Sequence, residues 1–239
     1  MHTFEEWKKK LIVVRGGGDI ATGTIYKLHQ SRFPVLVLEI ANPSCIRRTI
    51  SFCEAVFDKE VEVEGVIAKR ADSLEEAFAI YEQGQIPVMI DENGSTIETL
   101  HPPVVVDAIL AKKNLGTKIT DAPAVIGVGP GFCAGKDVDA VIETQRGHNL
   151  GRVIYEGEAA PNTGIPGRIA GYAKERVIHA PAAGNLHILK QIGEIVQAGD
   201  KIADIEGTPV KTVIGGVLRG MIREGYPVKK GLKIADVDP

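Results

Sequence analysis

The run Leu11-Ile12-Val13-Val14-Arg15-Gly16-Gly17-Gly18-Asp19-Ile20-Ala21-Thr22-Gly23 decides how the first part of the chain is read. Four apolar residues lead through Arg15 into three glycines, and Ile25 and Leu28 then follow at helical spacing. A second apolar run, Pro34-Val35-Leu36-Val37-Leu38, ends at Glu39. Strand, glycine turn, helix, strand and acid is the order of a dinucleotide-binding βαβ unit. Gly16, Gly18 and Ala21 fill the small-residue positions of G-x-G-x-x-G/A, with Gly17 between the first two. The first small residue permits the tight turn, the second lets backbone approach a pyrophosphate, and the third lets helix pack on strand. Glu39 falls about 20 residues beyond the turn, where a carboxylate takes ribose hydroxyls. Asp19 lies in the cradle itself and would repel a phosphate unless a metal or an arginine such as Arg15 intervened. It reads equally well as the N-cap of the helix. The alternative for the whole turn is that its glycines serve packing only.

Working outward, Ala41-Asn42-Pro43-Ser44-Cys45-Ile46-Arg47-Arg48-Thr49 follows the second strand. Ligands of open α/β sheets sit off the carboxyl ends of the strands. Arg47 and Arg48 are therefore expected to meet a phosphate or other anion, unless they only begin a solvated helix. Cys45 beside them is a candidate activated thiolate, or an ordinary cysteine. A second glycine station, Ala124-Val125-Ile126-Gly127-Val128-Gly129-Pro130-Gly131-Phe132, repeats the pattern of strand into tight turn. Gly129 and Gly131 are expected to free backbone amides for an anion. Thr144-Gln145-Arg146-Gly147-His148-Asn149 is a polar, titratable cluster after a further strand. His148 is the first choice there for acid/base or ligand work, with Arg146 beside it.

Composition sets bounds. The chain has 239 residues, enough for one large or two small domains. Its formal net charge of −3 provides no global field for nucleic acid or anionic membrane. No apolar run reaches the ~20 residues of a membrane span, and the N-terminus lacks the apolar core of a signal peptide, so a cytoplasmic location is expected. Three cysteines without a C-x-x-C pair indicate neither a disulfide framework nor a structural zinc, and no metal site is expected.

The C-terminal part repeats itself. A shift of 32 positions carries His179-Ala180-Pro181 to Lys211-Thr212-Val213, and Gly193, Val196 and Gly199 to Gly225, Val228 and Gly231. It also lays Lys201-Ile202-Ala203-Asp204-Ile205 on Lys233-Ile234-Ala235-Asp236-Val237. Each half reads as short strands with glycine turns. Two interlocked halves predict a small all-β barrel-sandwich that resembles the biotinyl/lipoyl hammerhead. Lys211 sits too close to the second half to ride on a carrier hairpin. The expected fold class is therefore α/β: a Rossmann-like parallel-sheet domain over 1–172, then a β barrel-sandwich domain over 173–239.

With these landmarks in place, the chain resembles the YqeB family, accessory proteins of the selenium-dependent molybdenum hydroxylase system. The resemblance rests on Arg15-Gly16-Gly17-Gly18-Asp19-Ile20-Ala21-Thr22-Gly23, Gly129-Pro130-Gly131-Phe132 and Ala140-Val141-Ile142-Glu143-Thr144-Gln145-Arg146-Gly147-His148-Asn149-Leu150-Gly151-Arg152. Pro161-Asn162-Thr163-Gly164 and Lys233 to Pro239 complete it. The first turn also resembles XdhC-type proteins, which handle molybdenum cofactor, with Asp19 where those carry histidine. The resemblance implies a maturation protein that binds molybdenum cofactor or a dinucleotide and partners a molybdenum hydroxylase. It supplies no catalytic residues. Two alternatives stand beside it. One is an NAD(P)-dependent oxidoreductase using Glu39 and His148; the other is a non-enzymatic docking module built on the β repeat. A homo-oligomer stays open.

Overall fold

A capping box starts the chain of the computed structural model, which describes residues 3–239: Thr3 accepts from the Glu6 amide while Glu6 returns a bond to the Thr3 amide. The helix so begun, α1 (Phe4–Lys8), is short, and its Trp7 is buried against Phe4, Phe78 and Tyr81. β1 (Ile12–Arg15), α2 (Asp19–Gln30) and β2 (Val35–Glu39) follow as the apolar spacing requires. Next come α3 (Ala55–Asp58), β3 (Glu60–Val63), β4 (Val66–Ala71) and α4 (Leu74–Glu82), the last begun by Ser73 accepting from the Glu76 amide. β5 (Ile86–Ile90), α5 (Ser95–Leu100), β6 (Val104–Asp107) and β7 (Ala124–Val128) continue the chain. A small two-stranded sheet pairs β8 (Cys133–Ala134) with β11 (Gly157–Glu158), and between them lie β9 (Ala140–Ile142) and β10 (Val153–Ile154).

Nine strands form one sheet in the order β10-β9-β7-β6-β1-β2-β5-β4-β3. Neighbours from β4 to β9 run parallel. Side chains of β1 alternate between two apolar layers: Val13 joins Trp7, Leu36 and Leu100, whereas Ile12 and Val14 join Ile25, Val35 and Val37. Both faces are thus covered, as a parallel sheet needs.

The expected Rossmann-like parallel sheet is corrected here, because the sheet is mixed. β3 runs antiparallel to β4, since the two-residue turn at Glu64 and Gly65, both at positive φ, can only reverse the chain. At the other edge β10 runs antiparallel to β9 for the same reason of length, the link being too short for a crossover. Among the described residues the half of the sheet built from β6, β7 and β9 also has no crossover helices; a loop joins β6 to β7, and the link from β7 to β9 carries β8. Leu110 and Lys112, both at positive φ, interrupt any helix after β6.

By contacts the chain divides into two units. The first holds residues 1–43 and 50–162; the second holds Ser44–Thr49 together with Thr163–Pro239. In the second unit the strands are β12 (Val177–His179), β13 (Gly184–Ile188), β14 (Ile195–Val196) and β15 (Lys201–Ile205), then β16 (Thr208–Lys211), β17 (Gly216–Met221), β18 (Pro227–Val228) and β19 (Lys233–Asp238). The expected barrel-sandwich is corrected as well. The eight strands make two separate antiparallel sheets, β12-β19-β17-β14 and β16-β15-β13-β18, around one apolar core. Two-residue strands β14 and β18 end these sheets and leave no partner through which a barrel would close.

The repeat itself is visible in the backbone. The shift of 32 exchanges β12 with β16, β13 with β17, β14 with β18 and β15 with β19, and so turns one sheet into the other. Each sheet therefore takes two strands from each half. Gly184 and Gly216, at φ 145° and 147°, hold equivalent positions that other residues rarely adopt.

Candidate functional site

The parallel strands place their carboxyl ends along one edge of the first unit, and the glycine turns are there. At the first turn, Gly16 has φ +92° and a Cβ on it would lie 2.9 Å from the Ile109 Cα. A Cβ on Gly17 would lie 3.0 Å from the Cys53 amide nitrogen, whose N–H donates to the Gly17 carbonyl at 2.8 Å. Both glycines are therefore needed for packing. Gly18 differs: among the described residues nothing lies within 4 Å of the Cβ position, and its backbone is extended at φ −66° as the N-cap of α2. Ala21 is fully buried and lets α2 pack closely on the sheet.

Glu39 does not present a free carboxylate to a ribose. One oxygen accepts from the Gly17 amide and the other from the Ile40 amide, each at 2.8 Å. Desolvation pushes the Glu39 carboxyl above its ordinary pKa, against the pull of those two amides. An internal carboxylate thus already holds one amide of the anion cradle. Asp19 opens α2 and lies within electrostatic reach of Lys112. Desolvation holds the Lys112 ammonium below the usual lysine range, although its side chain reaches solvent, and Asp19 pulls the other way. Lys112 is thus a cation near Asp19 that sequence reasoning missed.

At the second station every glycine is filled. A Cβ on Gly127 would meet the Phe132 ring at 2.6 Å; one on Gly129 would meet the Thr144 hydroxyl at 2.9 Å and Leu110 at 3.0 Å. Gly131 has φ +115°, and a Cβ on it would lie 2.7 Å from the Lys113 backbone. The Gly129 amide already donates to the Ile142 carbonyl at 2.8 Å. This turn is a packing device, so the two predicted stations are not equivalent. They are nevertheless joined: the loop after β6 packs by Ile109 on Gly16, by Leu110 on Gly129 and by Lys113 on Gly131. Thr144 extends the chain of contacts to the loop that carries Arg146 and His148.

That loop is held from its base. The buried Glu143 accepts from the Gln145 amide at 2.6 Å and from the Ala160 amide at 2.8 Å. Burial opposes its charge, but the amides of Ala160, Gln145 and Thr144 outweigh burial and hold its pKa below the ordinary glutamate value. Arg146 and His148 are exposed at the tip. Beside the loop lies an open cleft of ≈ 400 Å³ lined by Glu143, Asn149, Arg152, Tyr155, Glu156 and Glu158, among others.

The sequence reading also missed a buried polar group at the ends of β1 and β6. Arg15 and Asp107 are register partners, 3.6 Å apart, and the Thr117 hydroxyl accepts from Arg15 while donating to Asp107 at 2.6 Å. Its signal was a charge closing each of two apolar runs, Ile12-Val13-Val14-Arg15 and Val104-Val105-Val106-Asp107; strand order was needed to make them neighbours.

Three predicted residues, Cys45, Arg47 and Arg48, belong to the second unit. Arg47 pairs with the buried Asp236 at 2.9 Å, and Arg48 donates to the Met221 carbonyl at 2.8 Å. Ile46 fills the slot left by Gly220 and accepts from the Met221 amide. The arginines fasten this segment to the repeat, and the cationic field invoked for a Cys45 thiolate is engaged elsewhere. Among the described residues no group of three or more His, Cys, Asp or Glu could hold a metal ion, and no helix is long and apolar enough to cross a membrane.

No known family profile matches the chain. Over 230 residues, 96% of its length, it is 50% identical to Uncharacterized protein YqeB of Escherichia coli (strain K12). The chain is a relative of YqeB. It spans 42% of the length of that protein. The resemblance to the YqeB family expected from the R-G-G-G-D-I-A-T-G and E-T-Q-R-G-H-N-L-G-R runs thus stands. Among solved structures it is similar to an aspartoacylase family protein of Mesorhizobium loti, at 9% identity and TM-score 0.31, covering 96% of this chain and 85% of that one. The apo ectoine utilization protein EutE (DoeB) of Ruegeria pomeroyi gives 9% identity and TM-score 0.29, with 96% and 86% covered. A succinylglutamate desuccinylase of Silicibacter sp. TM1040 gives 13% and 0.28, with 96% and 84% covered. At these scores the similarities carry no inference about chemistry.

Proposed function

We propose that the chain is an accessory protein of the selenium-dependent molybdenum hydroxylase system. It would hold a phosphate-bearing cofactor, of molybdopterin type or a dinucleotide, at the carboxyl edge of the mixed sheet. The system is an expectation from the kinship with YqeB. The ligand class rests on one observation: Gly18 alone of the three turn glycines has open space at its Cβ position, at the start of the twelve-residue α2 and near Lys112. A phosphate there would gain the amides and positive end of α2 together with the lysine. Such a cofactor would supply its own redox chemistry; Gly18 would give it backbone access and Lys112 would offset Asp19 and its phosphate charge. The residues fit a held cofactor better than a turned-over nicotinamide, because Glu39 is already bonded to the Gly17 and Ile40 amides.

The test is retention. The protein is incubated separately with molybdenum cofactor and with reduced nicotinamide dinucleotides, then desalted. One of them is expected to stay with the wild type and to be lost from Gly18→Val and Lys112→Ala. Equal retention by wild type and both variants, or none by any, would remove the reading. Saturable nicotinamide fluorescence with turnover would favour an oxidoreductase instead.

A further inference from the structure

The loop between Glu143 and Arg152 carries an arginine and a histidine that the fold does not use. Arg15, Arg47, Arg70, Arg176 and Arg219 each meet a carboxylate. Among the described residues, none pairs with Arg146 or His148. Nor does any protein acceptor meet the backbone N–H groups of Arg146, Gly147, His148 and Asn149. Consecutive free amides beside an arginine and a histidine are the groups from which anion-binding loops are built. Gly147, at φ +138°, has open space at its Cβ position.

Loose loops seldom bind well, because ordering them costs entropy. This one is already ordered. The Gly151 amide donates to the Glu143 carbonyl and the Glu143 amide to the Arg152 carbonyl, at 2.8 and 3.0 Å. Leu150 bonds back to Gly147 and Arg152 back to Asn149, and the Glu143 carboxylate ties both the Gln145 and the Ala160 amides. Charges near the loop divide its two sides. Glu156 and Glu158 line the adjoining cleft with Arg152, whereas Arg146 and His148 do not line that cleft.

We infer that Arg146, His148 and the amides of residues 146–149 form a binding loop for a phosphate-type oxyanion, with Arg152 excluded from it by its acidic surroundings. The loop leaves the carboxyl end of β9, on the edge where the proposed cofactor lies. The inference therefore rests on that reading and assigns the loop to a second anionic group of the ligand, beyond the phosphate placed at Gly18.

Inorganic pyrophosphate is the probe, titrated calorimetrically into the full chain at low salt. Arg146→Ala is expected to weaken binding roughly tenfold, the scale of one charge-assisted contact, and His148→Gln several-fold. Arg152→Ala should change it by less than about twofold, and added salt should weaken it in all proteins. All three substitutions are at exposed positions, and unchanged melting curves confirm that each variant is folded. Absence of pyrophosphate binding to the wild type overturns the inference. So does binding that survives Arg146→Ala but is lost in Gly18→Val, which would leave the cofactor reading standing. Binding lost in Arg146→Ala supports the inference, even where no molybdenum cofactor is retained and the wider reading fails.

Discussion

Two glycine-rich turns of the first unit look alike in sequence and differ in what their glycines face. At Gly127–Gly131 every missing Cβ is a space that a ring, a hydroxyl or a neighbouring backbone occupies. At Gly16–Gly18 two glycines are packed in the same way and the third is open. A glycine therefore signals that backbone must come close to something, and only the fold tells whether that is the protein itself or a ligand.

Substitutions can break this contrast. The largest loss of stability is expected for Gly131→Ala, which combines φ +115° with a 2.7 Å approach to the Lys113 backbone. Strain and overpacking together give about 3 kcal/mol or more, read as a lower denaturant midpoint at unchanged slope. Gly16→Ala, with φ +92° and backbone at 2.9 Å, should cost roughly 2–3 kcal/mol by the same measurement. A mild effect at either position would mean that the loop after β6 does not pack tightly on these glycines.

The base of the neighbouring loop offers a smaller, pH-dependent effect. Glu143→Gln should cost about 1–2 kcal/mol at neutral pH, because an amide cannot replace a carboxylate that accepts several backbone bonds. Since the Glu143 pKa is lowered in the folded chain, its contribution is present above the ordinary glutamate value near ~4.3. It is lost as pH falls through the lower folded value. Melting curves from pH 7 to acid should therefore show the gap between wild type and variant closing; a constant gap would contradict the assignment.

The smallest effect on stability belongs to Gly18. The Cβ of alanine there meets nothing within 4 Å and an allowed backbone, so the change should stay at about 0.5 kcal/mol. A large loss at Gly18 would make the two turns equivalent after all.

How much was legible in the sequence follows from which contacts are local. The opening strand, turn, helix and strand and the repeat are set by short-range spacing, and they appear where expected. The parallel-sheet and barrel expectations failed on edges. The Glu64-Gly65 reversal and the two-residue strands decide whether a sheet stays parallel or closes, and neither is announced by hydrophobic pattern. Of the site residues, Gly18 and Asp19 were legible, whereas Lys112, within electrostatic reach of Asp19, is brought there by long-range packing alone. Arg47 and Arg48 follow β2 in sequence, yet their partners, Asp236 and Met221, come from the far end of the chain.

A crystal structure of the protein soaked with molybdenum cofactor tests the central claim most directly. The account predicts a phosphate within hydrogen-bonding distance of the amides that follow Gly18 and near Lys112, with Gly129 and Gly131 unchanged and making no contact. A phosphate cradled at Gly129–Gly131 instead would contradict it.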